Sequence, residues 1–199
     1  MKILAIGDIH GEKRIIRKTL SLIKNENPDL IILAGDMTFI EQDIEKIMNY
    51  FGKIKKEILV IPGNHETPES INTITKKHSN IKNIHGNYFI KDNIGFFGAG
   101  GGDVVLHVIN ENDIEKLLKK GHEKLKNIEK KVMITHMHPK GSKSEFTGFQ
   151  GFKSITKAIY DFEPDLVLNA HIHEAGGAYD KFKKTRVINV SRNPAIIEI

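Results

Sequence analysis

Five short apolar runs, each breaking off into polar residues, constrain this chain more than any other feature. KILAIG (2–7) leads into Asp8-Ile9-His10, and DLIILAGD (29–36) ends in Gly35-Asp36. EILVIPG (57–63) leads into Asn64-His65-Glu66, KVMITHMH (131–138) contains His136, and PDLVLNAH (164–171) opens His171-Ile172-His173. Runs that are apolar at every position, rather than at alternate ones, suit strands covered on both faces. Helical patterns lie between them. Ile15, Ile16, Leu20 and Ile23 share one helix face before Asn27-Pro28, and a second helix is expected over 41–51. Thr67-Pro68-Glu69 reads as a cap, a first-turn proline and an acidic first turn of a helix to about His78. Further helices are expected over 112–130 and 153–162, short β pieces over 81–100, and two last strands in TRVINV and AIIEI, joined by Arg192-Asn193-Pro194. Strands alternating with helices over 199 residues predict one α/β domain, 1–199, with no linker.

In such folds the carboxyl ends of the strands are where ligands bind. Taken singly, Asp8 or Asp36 reads as a helix cap, Asn64 as a turn residue and His136 as a core histidine. Together they form one edge of polar groups. His171 and His173, two residues apart at a strand end, can face the same side. Carboxylate, imidazole and amide oxygen together suit Mn, Fe, Co, Ni or Zn better than calcium. Seven such groups exceed the three or four of a single catalytic zinc. They fit two ions about 3.5–4 Å apart that share a carboxylate. The chain has no cysteine, which excludes a disulfide framework, a thiol nucleophile and any thiolate metal site.

The series D-x-H, G-D, G-N-H-E, T-H and H-x-H, in this order and after strands, resembles the calcineurin-like metallophosphoesterases. It runs from Asp8 to His173, and GDIHG and GNHE are its most specific parts. The resemblance implies a four-layer α-β-β-α sandwich with the active site at the carboxyl ends of the strands. It implies that Asp8, His10 and His173 bind one metal ion, that Asn64, His136 and His171 bind the other, and that Asp36 bridges them. His65 would stand beside the site as the general acid. The expected cofactors are two divalent ions, manganese first, with Fe, Co, Ni or Zn as alternatives. The expected reaction is hydrolysis of phosphate esters, diesters ahead of monoesters, by attack of a bridging hydroxide. The chain departs from the family at Ala170, where glycine is common, at Met37-Thr38-Phe39, where a further acid often follows, and at His138, where proline is common.

Substrate choice is expected from the loop HPKGSKSEFTGFQGFKS (138–154). His138, Lys140 and Lys143 are its candidate substrate contacts, and Phe146, Phe149 and Phe152 either stack on substrate or anchor the loop to the core. Glycines 98 and 100–102 read equally as an anion nest or a tight turn. Glu66 and Glu174, next to His65 and His173, read as solvated charges. The net charge of +5 comes largely from lysines interleaved with glutamates, the pattern of a solvated helix face. A small-molecule or nucleotide phosphate ester is therefore the expected partner, ahead of nucleic acid. A metal-dependent nuclease and a metal-stabilised protein-interaction scaffold are the competing readings. No stretch approaches the ~18 apolar residues of a membrane span, and MKILAIGDIHG is broken by Asp8 and His10, so no membrane partner and a cytoplasmic location are expected.

Overall fold

The computed structural model describes residues 1–199 and contains two sheets packed face to face with helices on both outer sides. The first sheet is formed by β1 (Lys2–Ile6), β2 (Leu30–Ala34), β3 (Glu57–Ile61) and β4 (Ile81–Asn83), all parallel, with β11 (Ala195–Glu198) antiparallel to β1. The second has β6 (Ile94–Ala99), β7 (Lys130–Thr135), β8 (Leu166–Asn169) and β10 (Thr185–Asn189) in parallel. β5 (Asn87–Lys91) and β9 (Tyr179–Phe182) close its two edges in the antiparallel sense.

The unbroken apolar runs follow from this layering. Along β1, Ile3 and Ala5 enter the core between the sheets, where they join Leu30, Ile32, Leu166 and Leu168. Leu4 and Ile6 point the other way, toward Ile15 and Ile16 of α1 (Lys13–Glu26) and Ile47 of α2 (Ile44–Gly52). α3 (Pro68–Lys77) completes this helical layer, and the Thr67 hydroxyl accepts the Ser70 N–H as its cap. On the far side, α4 (Glu111–Glu123) and α5 (Lys153–Phe162) cover Phe97, Met133 and Val167. The expected four-layer α-β-β-α sandwich is present. No helix is long and apolar enough to cross a membrane.

Two details differ from expectation, and a third adds to it. α4 stops at Glu123, because the lysine-rich 124–129 offers the sheet only Leu125 and Ile128. β9, YDKF, was not legible: as an edge strand with alternate residues exposed it needs no apolar run. The last two predicted strands lie in different sheets. The chain crosses between them at 190–194, where the Gly7 N–H donates to the Val190 carbonyl and the Arg192 N–H to the Gly7 carbonyl.

Candidate metal centre

The loops after β1, β2 and β3 meet those after β7 and β8 at one end of the two sheets, and they meet at contact distance. A Cβ on Gly63 would lie 1.9 Å from Asp36 Oδ1, and one on Gly35 would lie 2.7 Å from the Gly63 Cα. The glycines of G-D and G-N-H are therefore what lets two loops share one small volume. Gly7 and Ala170 repeat this between the sheets: a Cβ on Gly7 would come within 2.5 Å of the Ala170 Cβ. The methyl of Ala170 thus sits against the bare backbone of Gly7. Asp8, His10, Asp36 and His171 all have positive φ, between 45° and 70°, although none is glycine. Such backbone strain persists only where the surroundings over-determine it, and it concentrates at functional sites.

All seven predicted ligand residues converge. Asp36 Oδ2 lies 3.6 Å from His10 Nε2 and 3.5 Å from His136 Nε2. Asp8 Oδ1 lies 3.8, 4.0 and 3.6 Å from the Nε2 atoms of His10, His136 and His173. Asn64 Oδ1 is 3.0 Å from both His136 Nε2 and His171 Nδ1. The backbone decides which ring nitrogens are free. His10 Nδ1–H donates to the Thr38 carbonyl and His136 Nδ1–H to the Ala34 carbonyl, so both turn an Nε2 lone pair inward.

With no cation bound, the positive charge in this arrangement is a proton taken up by a histidine. Asp8 Oδ1 is buried and receives no hydrogen bond, although Oδ2 of the same carboxylate takes the His171 N–H and the Ser191 hydroxyl. His10 Nε2 and His173 Nε2 face each other at 3.1 Å. An unpartnered carboxylate oxygen and imidazole nitrogens gathered this closely are the donor set of a cation site. The electrostatics agree. Burial opposes charging His136, yet Asp36 and Asp8 outweigh it and push its imidazole up to about 10. Burial likewise opposes ionising Asp36, but His136 holds that carboxyl well below its usual range. Burial and then His136 bring His171 down to about 4. The residues present fit divalent metal ions.

Three polar residues at the site escaped the sequence. Glu66 is no partner of His65. It is fully buried and accepts the N–H groups of Asp36 (3.0 Å), Thr38 (2.8 Å) and Gly63 (3.1 Å) and the Thr38 hydroxyl (2.8 Å). One carboxylate thereby ties the β2 loop to the β3 loop. Burial, with Asp36 nearby, pushes its pKa up to about 7 against those four donors. The glutamate of G-N-H-E was a visible signal, read as a surface charge. Ser191 arrives from the crossover between sheets, and nothing in its local sequence marks it. Asp103, with Oδ1 3.5 Å from His171 Nε2, comes from a loop whose sequence carries no metal pattern. Glu174 is exposed, as expected.

The predicted substrate residues do not form a group. His138 is fully buried, and its Nε2–H donates to the Phe149 carbonyl (3.2 Å), which pins the loop from inside. The Lys143 ammonium is bound to the Tyr179 carbonyl (2.9 Å), on β9. Lys140 is fixed by its backbone, which bonds to Phe152 and to the Thr156 hydroxyl, and its ammonium group has no polar partner. Phe152 packs on the outer core, whereas Phe146 and Phe149 are 69% and 64% exposed, so only one phenylalanine of three anchors the loop. The glycines 98–102 mainly permit close packing: a Cβ on Gly100 would lie 1.8 Å from the Pro62 carbonyl oxygen.

Comparison with known proteins gives a family and a fold. A symmetrical bis(5'-nucleosyl)-tetraphosphatase of Wigglesworthia glossinidia brevipalpis is 40% identical over 62 residues, which are 31% of this chain and only 23% of that protein. The protein TT1561 of Thermus thermophilus superposes with a TM-score of 0.79 at 18% identity, over 96% of this chain and 90% of that one. The phosphopantetheinyl hydrolase PptH of Mycobacterium tuberculosis gives 0.67 at 12% identity, over 96% and 88%. Both share the fold. Residues 1–175 match the calcineurin-like phosphoesterases, and the chain belongs to that family of metal-dependent hydrolases.

Proposed function

We propose that the chain hydrolyses phosphate esters, diesters in preference to monoesters, at a centre of two divalent ions. Asp8, His10 and His173 would hold one ion, Asn64, His136 and His171 the other, and Asp36 would lie between them. The observation that carries this reading is the buried, unpartnered Asp8 Oδ1 facing three imidazole nitrogens. The mixed carboxylate and imidazole set suits Mn, Fe, Co, Ni or Zn, and manganese is the ion proposed. Bound there, such ions lower the pKa of water toward ~7 and draw charge from the phosphoryl oxygens. A metal-stabilised scaffold would use the same acceptors, and it is His65 beside the complete set that favours the enzyme.

His65 is the proposed general acid. The Ile40 N–H donates to His65 Nδ1 (3.2 Å), which leaves the proton of the neutral ring on Nε2, 3.9 Å from Asp36 Oδ2. A nitrogen that carries its proton donates a hydrogen bond rather than binding a metal. The water oxygen joins phosphorus and the bond from phosphorus to the leaving oxygen breaks. His65 would enter this step as imidazolium, its Nδ1 protonated in exchange for the Ile40 bond, give its Nε2 proton to that oxygen and be left as the neutral ring. The water's proton is lost to solvent, from which His65 is reprotonated, so the enzyme returns unchanged.

The test uses chelator-stripped protein with and without Mn²⁺, and two diesters of unequal leaving groups. Bis(p-nitrophenyl) phosphate leaves without help, whereas diphenyl phosphate needs protonation. Manganese restores turnover of both, and His65→Ala costs the phenyl ester about 10²–10⁴-fold and the nitrophenyl ester much less. Equal losses on the two esters refute the acid role. No turnover with any divalent ion refutes the reading as a whole.

A further inference from the structure

Beside the centre, between α1 and α2, lies a pocket of about 210 Å³ that shares the ring of His10 with the metal site. Its apolar wall is Ile16 and Ile47, both nearly buried, and its aromatic faces are Phe39 and Tyr50, which are 52% and 43% exposed. Two ammonium groups, Lys13 and Lys46, stand in its lining against one carboxylate, Asp43. Lys46 lies 3.8 Å from Asp43 in an exposed pair, and Lys13 has no ion-pair partner. The pocket therefore combines stacking surface with net positive charge.

Its position relative to His65 gives it a role in the reaction. The Phe39 and His65 rings lie 4.9 Å apart and 34° from parallel. A leaving group that takes the His65 proton would depart beside the Phe39 ring, which lines this pocket. The wall is rigid, too. Ile40, Glu41 and Asp43 all have positive φ, at 50°, 58° and 55°. A β-branched residue is strained in that region of the backbone. The turn is over-determined: the Ile40 and Glu41 N–H groups bond to His65, and Glu41 Oε1 takes the N–H and hydroxyl of Thr67 and the Ser70 hydroxyl.

We infer that this pocket binds the leaving group, and that the leaving group is a nucleotide, an aromatic base joined to phosphate. Pockets that enclose a whole ligand measure about 300–1,000 Å³. At 210 Å³ this one takes a single base and leaves the rest of the molecule at its mouth. The base would lie against Phe39 and Tyr50, with Lys13 and Lys46 meeting its phosphates. The inference deepens the phosphoesterase reading and rests on it.

Two measurements separate the inference from that reading. In metal-free protein Asp8 and Asp36 repel phosphate, so ADP binding followed by calorimetry reports the pocket. ADP is expected to bind about tenfold or more tighter than adenosine or inorganic phosphate. Tyr50→Ala weakens it about tenfold, the scale of one base stacked on one ring, and Lys13→Ala with Lys46→Ala weakens it at least as much. These side chains are exposed, so the variants fold. With manganese, the same variants lower kcat/KM for diadenosine tetraphosphate, whose symmetrical cleavage releases ADP, about tenfold relative to bis(p-nitrophenyl) phosphate. ADP binding that matches inorganic phosphate, or an unchanged ratio with nitrophenyl turnover intact, overturns the pocket alone. Failure to hydrolyse both bis(p-nitrophenyl) phosphate and the anhydride bond of diadenosine tetraphosphate overturns the phosphoesterase reading and the pocket with it.

Discussion

The two halves of the centre are built differently. His136 is fully buried, donates to the Ala34 carbonyl and faces Asn64, itself nearly buried. His173, in the other half, is 39% exposed in its side chain, and it sits in a short 3₁₀ turn, His173–Ala175, after β8. His10 is intermediate and forms part of the wall of the nucleotide pocket. One half is thus held by the Ala34 carbonyl and by buried side chains, while the other lies at solvent and beside the pocket. A hydrolase gains from both. Rigid acceptors hold their ion without reorganisation, and an open half admits water and ester.

Substitutions on the two sides should therefore fail differently. His136→Ala removes an inward acceptor and leaves Asp8 and Asp36 as uncompensated buried charges. Diester turnover is expected to fall on the order of 10³-fold or more, as when one member of a catalytic unit is lost, and excess Mn²⁺ should not restore it. Recovery in high manganese would show that the buried half is no more rigid than the open one. His173→Ala is the counterpart. Manganese affinity should drop by about 10–100-fold, and turnover should return as the metal concentration is raised. Calorimetric titration beside the rate measurement reads both effects.

Glu66→Gln probes the join between the β2 and β3 loops. An amide NH₂ would face at least one of the N–H groups of Asp36, Thr38 and Gly63, and a buried donor without its acceptor costs about 1–3 kcal/mol. For a chain of this size Tm should fall by about 2–4 °C for each kcal/mol. An unchanged Tm would mean that the loops are held by packing alone. Lys143→Ala should do least, leaving diester kinetics as they were and changing stability by no more than about 0.5 kcal/mol. Its ammonium group serves β9 rather than the site, and a clear loss of kcat/KM would return the 138–154 loop to substrate binding.

Both halves were legible in sequence. Covered strands must be apolar, so the polar residues that end them stand out, and the five strand ends located every proposed metal ligand. Glu66 was visible but misread, because a glutamate beside a histidine looks the same whether it faces water or four N–H and O–H donors. Ser191 and Asp103 were out of reach: each arrives through a loop that other elements position. The lysines and phenylalanines of 138–154 misled for a related reason. Loop composition tells what chemistry is present but not the direction in which a side chain points. The pocket between α1 and α2 was invisible too: Lys46 and Tyr50 share one face of α2, but Lys13 is on α1 and Phe39 in the loop before α2, and no spacing joins the three.

The central claim is that this edge holds two ions that act together. The direct test counts manganese per chain by elemental analysis while bis(p-nitrophenyl) phosphate turnover is measured on the same samples, as stripped protein is titrated with Mn²⁺. The account predicts little turnover at one equivalent and full turnover at two. Full activity at one bound ion, or two bound ions with no activity, would contradict it.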